Sequence, residues 1–430
     1  MSACLSGGLP YRFEHRPGPS ILAAQLVIRG GSGADPAGER GAHQLLAGLM
    51  TRGCGDLDAE ALADLVEGAG AALRVEAQED ALVLALKCAA ADAAELLPLL
   101  PRMVRRPRLD ADQFELERQL NLQTLQRQRE DPFQLAHDQL RRQLYDDGPY
   151  GHDPLGVDDD LLALTPERLT PLVAGLGNQG AVLVICGDLP DNAVALLERE
   201  LARAPWCTTA PQPTAAVPAA SRFSRQRLAR QEQDTEQLVL MLGAATVPLG
   251  HPDALALRLL QCHLGLGMSS RLFVSMREER GLAYDVGVHM PARCGASPWM
   301  MHLSTSAERA DEATACLLEE WQRLLEVPLS EAERELAVAK FLGQEAMGRQ
   351  TCGQIAERQA LVLSHGLPDD HIARVLARAP DLNSSDLQAA ARRCLSSPCL
   401  SLLGPPTALD DATGAWSDHP VSLDPGAAAL

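Results

Sequence analysis

The chain has 430 residues, of which 46% are hydrophobic, 22% are charged and 3% are aromatic, a composition typical of a globular protein. Its length exceeds that of one ordinary hydrophobic core and predicts two domains of about 200 residues each. The net charge of −19 argues against nucleic acid or an anionic membrane surface as a partner, because both carry negative charge themselves.

No run of about 18 apolar residues occurs, so the sequence predicts no membrane-spanning segment. The first residues lack a positively charged stretch followed by an apolar one, and we therefore expect no signal peptide and a cytoplasmic protein. The eleven cysteines are odd in number and scattered along the chain, which favours free thiols over a disulfide framework.

The first half of the chain alternates between strand and helix patterns. Apolar runs, helical periodicity and turn residues predict, in order, a strand at Ile21–Gly30, helices at Gly41–Met50 and Asp58–Glu67, a strand at Ala81–Lys87, a long helical stretch over Asp110–Leu144 interrupted at Asp131-Pro132, and a strand at Ala181–Asp188. The stretch Ala204–Ser221 is rich in Pro, Ala and Thr and has no periodicity, which predicts a linker.

The second half repeats this order of elements. We predict a strand at Glu236–Leu242, helices at Asp253–His263 and Arg271–Glu279, a strand at Tyr284–Met290, and helices at Ala307–Leu325 and Ser330–Met347. The repetition suggests an internal duplication. We therefore predict an N-terminal domain over residues 1–205, a linker over 206–221, a C-terminal domain over 222–404, and a loosely attached tail over 405–430.

Several short motifs follow one another in a characteristic order. They are Gly41-Ala42-His43, Pro149–Gly156, Val182–Asp188, His251-Pro252-Asp253 and Met268–Phe273. Together they resemble the two-domain bacterial branch of the pitrilysin/insulinase zinc peptidases, the inverzincins of peptidase family M16. The resemblance implies an α+β fold with two homologous α/β domains, each a mostly antiparallel sheet with helices packed on one face, enclosing a peptide cavity.

The resemblance places the family's zinc motif, His-x-x-Glu-His, on His43 and the four residues that follow it. Leu46 stands in place of the general base and Ala47 in place of the second ligand. Glu117 matches the family's helper carboxylate, whereas Thr124 occupies the position of the third ligand. A catalytic zinc needs about three protein ligands and a position for water. We therefore expect no zinc in this chain, and interpret His43 as a remnant on a core helix, able to hydrogen-bond Glu117.

The second half of the chain keeps the other part of the family's site. Arg277 and Tyr284 match the Arg-x-x-x-Gly-Leu-x-Tyr pattern that holds the peptide and stabilises the oxyanion. Periodicity alone favours a simpler interpretation, with Arg277 on a helix surface and Tyr284 buried in a strand. The resemblance favours the functional interpretation.

Two functional hypotheses follow from this contrast. In the first, the chain is the non-catalytic subunit of a heterodimeric zinc peptidase, and a sister chain supplies zinc and base while Arg277 and Tyr284 act on the peptide in trans. In the second, it is a structural subunit, like the proteolytically silent core proteins of respiratory complexes. Leu46 and Ala47 argue against a peptidase that acts alone.

Overall fold

The computed structural model describes residues 3–5, 8–18, 20–203, 210–211 and 226–422. The chain forms two compact units, and each is discontinuous in sequence. The first comprises Met1–Gln126, His152–Pro213 and Ala346–His371, and the second comprises Arg127–Gly151, Thr214–Glu345 and Ile372–Leu430. Each unit thus contains one segment from the opposite half of the chain, which differs from the contiguous domains expected. The predicted linker lies outside the described residues, apart from Ala210 and Pro211.

The strands form two sheets. They are, in chain order, β1 (Ala3–Cys4), β2 (Pro10–His15), β3 (Ile21–Arg29), β4 (Ala72–Ala77), β5 (Ala81–Ala89), β6 (Ala181–Gly187), β7 (Leu228–Glu232), β8 (Gln237–Ala245), β9 (Val286–His289), β10 (Pro298–Ser306) and β11 (Cys399–Gly404). The first unit has the sheet order β1-β2-β6-β3-β5-β4, and the second has β7-β11-β8-β10-β9.

Most of the remaining residues are helical. The α-helices are α1 (Ala42–Met50), α2 (Ala59–Gly68), α3 (Ala93–Leu96), α4 (Leu99–Arg105), α5 (Ala111–Gln128), α6 (Pro132–Tyr145), α7 (Asp158–Ala163), α8 (Pro166–Gly175), α9 (Ala193–Arg203), α10 (Ala254–Gly265), α11 (Ala310–Glu326), α12 (Glu331–Met347), α13 (Cys352–Ser364), α14 (His371–Arg378), α15 (Ser384–Cys394) and α16 (Pro406–Asp418). A π-helix spans Phe273–Glu279. None of the helices in the described part of the chain is both long enough and apolar enough to cross a membrane.

The two sheets share one topology. In each, the first long strand runs parallel to the last strand, as β2 does to β6 and β7 to β11, and the other pairings between long strands are antiparallel. The mixed α/β fold with two mostly antiparallel sheets, expected from the sequence, is confirmed. The common strand order agrees with the duplication suggested by the repeated pattern of elements.

Both faces of each sheet are covered by helices. In the first unit, α1 to α4 and α9 pack on one face, while α13 covers the other through Ala356, Ala360 and Leu363. Strand β3 is buried over seven consecutive residues, a pattern typical of a strand with two apolar faces. Helices on one face only were expected. The additional helix comes from a distant part of the chain, because the second apolar face must also be removed from water.

The second unit repeats this arrangement with α6. Its residues Ala136, Leu140 and Leu144 pack with Met241 of β8 and Leu403 of β11 on one face of the sheet, and α10, α11, α15 and α16 cover the other face. The break predicted at Asp131-Pro132 is confirmed: α5 ends before it, and Asp131 caps α6 by accepting a hydrogen bond from the Phe133 amide at 2.9 Å.

The predicted C-terminal tail is in part wrong. Residues Pro406–Asp418 form α16, whose Leu409, Ala412 and Trp416 are buried in the core of the second unit. Proline is well suited to the first turn of a helix, so the proline-rich start of this segment marks a helix N-terminus and not a loose end. Residues 423–430 lie outside the described residues.

We expect Leu140→Ala to lower the free energy of unfolding of the second unit by about 2–5 kcal/mol, because it opens a cavity between α6 and the sheet. Urea unfolding followed by intrinsic fluorescence measures this, since Trp299, Trp321 and Trp416 are buried in that unit. The matched control is Leu336→Ala, which removes the same atoms from an exposed position on α12. Equal effects of the two substitutions would show that α6 does not seal this face.

Candidate functional site

The start of α1 depends on two glycines that belong to separate motifs. Gly41 has a φ of 105°, and a side chain there would meet the Leu155 carbonyl oxygen at 2.8 Å. A side chain on Gly156 would meet the Arg40 carbonyl oxygen at 2.6 Å. The backbones of the two motifs are therefore in direct contact, and glycine is required on both sides.

A carboxylate on α7 holds the residues just before this helix. Asp160 accepts hydrogen bonds from the Gly38 amide at 3.1 Å, from the Arg40 amide at 3.1 Å and from Arg40 Nε at 2.6 Å. The hydrogen bond from the Arg40 guanidinium holds the pKa of the Asp160 carboxyl below its usual range. Asp160 therefore fixes the entry to α1.

His43 pairs with Asp35. The imidazole Nδ1 donates to Asp35 Oδ1 at 2.6 Å, and the two side chains are 4% and 1% exposed. The same carboxylate accepts from the amides of Gly41 at 2.9 Å and His43 at 3.3 Å, so it also caps α1. The expectation that His43 hydrogen-bonds Glu117 is wrong: the hydrogen bonds of the described residues include none between the two side chains, and Glu117 pairs with Arg52.

Glu117 has a different partner. Arg52 Nε donates to its Oε1 at 2.6 Å, and the carboxylate lies over the backbone of α1 at Gly48, where an added Cβ would meet Oε2 at 2.3 Å. The α5 carboxylate and the α1 helix are thus adjacent, as the resemblance implies. The charge of Glu117 is balanced by Arg52 within the first unit.

The remaining positions of the motif have no role in holding a metal. Leu46 and Ala47 are fully buried in the hydrophobic core, and the Thr124 hydroxyl donates to the Leu120 carbonyl within α5 at 2.8 Å. Of the three ligand positions, only that of His43 carries a good zinc donor, the Nε2 atom, because its Nδ1 is bonded to Asp35. The residues present at this motif do not fit a zinc ion.

Arg277 and Tyr284 are brought together in the second unit. Arg277 lies on the π-helix, a rare conformation often found at functional sites. Its guanidinium carbon is 4.5 Å from the centroid of the Tyr284 ring and 4.7 Å from that of Phe273, and its Nη1 donates to the Tyr284 carbonyl oxygen at 3.1 Å. The cation therefore lies within cation–π distance of both aromatic rings.

Tyr284 is 83% exposed, the highest value among the large apolar and aromatic side chains that are exposed in the described residues. The simpler interpretation of a buried strand aromatic is therefore wrong. The predicted strand also starts two residues later, at Val286, because Tyr284 lies in the bend that precedes β9. Among the described residues, the Tyr284 hydroxyl has no hydrogen-bond partner.

This arrangement presents donors to the outside. A guanidinium has five N–H donors, and only the bond to the Tyr284 carbonyl is made by Arg277 within the described residues. With the phenol hydroxyl, the remaining donors form a surface suited to carbonyl oxygens or a developing negative charge. Phe273 was not predicted as part of this surface, although its helical spacing of four residues from Arg277 is a usable signal.

Comparisons with known proteins agree with this architecture. Residues 13–156 match the family model described as Insulinase (Peptidase family M16), and residues 177–341 match the one described as Peptidase M16 inactive domain. An uncharacterised zinc protease of Streptomyces coelicolor is 23% identical over 410 residues, covering 93% of this chain and 88% of the relative.

Two solved structures share the fold. A peptidase M16 inactive domain from Pseudomonas fluorescens superposes with a TM-score of 0.84 at 22% identity, covering 94% of this chain and 98% of that one. A chain of complex III2 from Candida albicans superposes with a TM-score of 0.75 at 13% identity, covering 96% and 99%. The chain belongs to peptidase family M16, the insulinase family. Within that family it is a member that lacks the catalytic zinc motif.

We expect the purified chain to retain no stoichiometric zinc at His43 and to cleave no peptide alone, because one histidine offers too few ligands. The zinc content is measured by metal analysis after incubation with zinc and desalting. Peptide cleavage is measured by an assay with and without a chelator. A parallel measurement on the His43→Ala variant shows whether any zinc that is found is bound at His43. About one zinc per chain that this substitution abolishes would contradict the prediction.

We expect Asp35→Ala to destabilise the first unit by about 2–4 kcal/mol, because it removes the cap of α1 and leaves the buried His43 ring unpaired. Chemical unfolding followed by circular dichroism measures the loss. Asp58→Ala is the matched control, since Asp58 caps α2 through the Ala61 amide at an exposed site and pairs with no buried ring. A loss no larger than that of the control would mean that the Asp35–His43 bond contributes nothing.

Proposed function

We propose that this chain is the non-catalytic subunit of a heterodimeric M16 zinc peptidase. A sister chain with an intact His-x-x-Glu-His motif would supply the zinc and the general base. This chain would supply Arg277 to bind the backbone of the peptide and Tyr284 to stabilise the oxyanion. The proposed setting is the cytoplasm, and the net charge of −19 supports a proposal without nucleic acid or an anionic membrane surface as a partner.

The exposure of Tyr284 is the observation that carries the proposal. Its ring is held by the Arg277 cation while its hydroxyl points to no partner in the described chain. Fixing an aromatic side chain in one exposed position costs conformational entropy and forgoes burial. A phenol hydroxyl fixed in this way is suited to donate one hydrogen bond to a negatively charged oxygen.

The unused donors of Arg277 support a role in peptide binding. The side chain is anchored at one Nη by the Tyr284 carbonyl and by stacking, which leaves the rest of its fork in a defined orientation. Extended peptides present backbone carbonyls as acceptors, and a fixed guanidinium binds them without losing much further freedom.

A structural role is the alternative. The similarity to a chain of complex III2 concerns the fold alone, at 13% identity, and a scaffold subunit has no chemical use for a fixed tyrosine hydroxyl. The retained pair therefore favours the peptidase subunit. A peptide-cleavage assay with an assembled complex distinguishes the two hypotheses.

The proposal predicts that Tyr284→Phe leaves folding and partner assembly intact and lowers kcat of the complex by about 10²-fold, the usual effect of removing one oxyanion donor. The measurement is peptide cleavage after co-expression with a sister chain that has the intact motif. Tyr11→Phe, which removes a hydroxyl from β2 in the first unit, serves as the matched control and should cleave at the wild-type rate.

Arg277→Ala in the same complex should act mainly through KM, since it removes contacts made to the bound peptide as well as in the transition state. A wild-type rate for the Tyr284→Phe complex would establish the scaffold hypothesis. An assembled wild-type complex whose cleavage does not depend on this chain would also overturn the proposal.

A further inference from the structure

The segment between Arg277 and Tyr284 has a defined backbone conformation. Gly281 has a φ of 58°, in the left-handed region, and the Leu282 amide donates to the Met276 carbonyl at 2.7 Å. Leu282 and Ala283 are buried in the core of the second unit. The turn is therefore anchored immediately before the exposed Tyr284.

A buried threonine holds this turn from behind. Thr305, near the end of β10, is 3% exposed, and its hydroxyl donates to the Leu282 carbonyl oxygen at 2.7 Å. The bond joins the turn to the central part of the sheet, because β10 pairs with both β8 and β9. Within the described residues, Thr305 forms no hydrogen bond with Arg277 or Tyr284.

An arginine holds the two preceding carbonyls. Arg309, just before α11, donates from Nη1 to the carbonyl oxygens of Arg280 at 2.9 Å and Gly281 at 3.1 Å. Its Nε and Nη2 donate to Glu312 Oε2 at 3.1 and 2.7 Å, which fixes the direction of the guanidinium. Three successive carbonyls, at residues 280, 281 and 282, are thus bound by donors from the junction of β10 and α11.

We propose that Thr305 and Arg309 are positioning residues that hold Tyr284 in its functional place, an inference that rests on the proposed role of Tyr284. Neither residue would touch the peptide. Their effect is to restrict the backbone that carries the phenol. Displacement of a catalytic group by about 1 Å can cost about 10²-fold in rate, so the loss should appear in kcat.

The test uses the assembled complex and a set of threonine variants. Thr305→Val keeps the shape of the side chain and removes the hydroxyl, and we expect it to lower kcat by about tenfold or more with KM within about threefold. Thr305→Ser restores the hydroxyl and should return kcat to within about twofold of wild type. The matched control is Thr314→Val, which removes a buried hydroxyl on α11 that bonds the Ala310 carbonyl and not the turn.

Hydrogen exchange on the free chain gives a second readout that does not depend on cleavage. Thr305→Val should accelerate amide exchange in residues 280–285 and leave the rest of the second unit at wild-type protection. If Thr305→Val does not fold, Arg309→Gln tests the proposal in its place, because the Arg309 side chain is 37% exposed and its replacement leaves the core intact. It should likewise accelerate exchange in the turn and lower kcat.

The outcomes separate the two proposals. If Tyr284→Phe lowers kcat while Thr305→Val and Arg309→Gln both cleave at the wild-type rate, the positioning proposal is overturned and the proposed function stands. Unchanged exchange in the turn of both variants overturns it as well. If Tyr284→Phe itself cleaves at the wild-type rate, the proposed function fails and the positioning proposal fails with it.

Discussion

The apolar character of both faces of each sheet is the constraint on which the rest of this structure depends. Strand β3 is buried over seven consecutive residues and β8 over eight, so neither sheet has a face that water can cover. Helices that follow the strands in sequence cover only one face. The other is covered by α13 in the first unit and by α6 in the second, and each of these helices comes from the opposite half of the chain. Both compact units are therefore discontinuous in sequence because the second face of each sheet is covered by a helix from the other half of the chain.

The first unit has the backbone arrangement around α1 that the family motifs imply, without a set of residues that fits zinc. The two glycines that bring separate motifs into backbone contact remain, and so does the α5 carboxylate beside α1. The polar groups that survive have found partners within the unit, His43 with Asp35 and Glu117 with Arg52. These pairings follow from the cost of leaving a polar group unpaired in a buried position. Leu46, at the general-base position of the motif, and Ala47, at the position of the second ligand, pack in the core of the first unit.

In the second unit, by contrast, a polar side chain of the motif is exposed to solvent. Tyr284 is left in solvent although its neighbours Leu282 and Ala283 are buried, and it is fixed there by the stacked cation of Arg277. The backbone of the turn is bound on three successive carbonyls by Thr305 and Arg309. The backbone of the turn is thus bound at three positions while the phenol that follows it is exposed, as the proposed role of Tyr284 requires.

The sequence by itself determined the family, the two-sheet α/β fold and most long elements, because motif order, apolar runs and helix breakers such as Asp131-Pro132 are local signals. It also indicated that the zinc motif is incomplete, with Leu46 at the general-base position and Ala47 and Thr124 at two of the ligand positions. It could not give the partners of His43 and Glu117, since Asp35 and Arg52 belong to no short motif with them, nor the burial of Trp416 in the supposed tail. The exposure of Tyr284 and its restraint by Thr305 and Arg309 were decided only by the tertiary structure, because they depend on contacts between elements that periodicity within one segment does not encode.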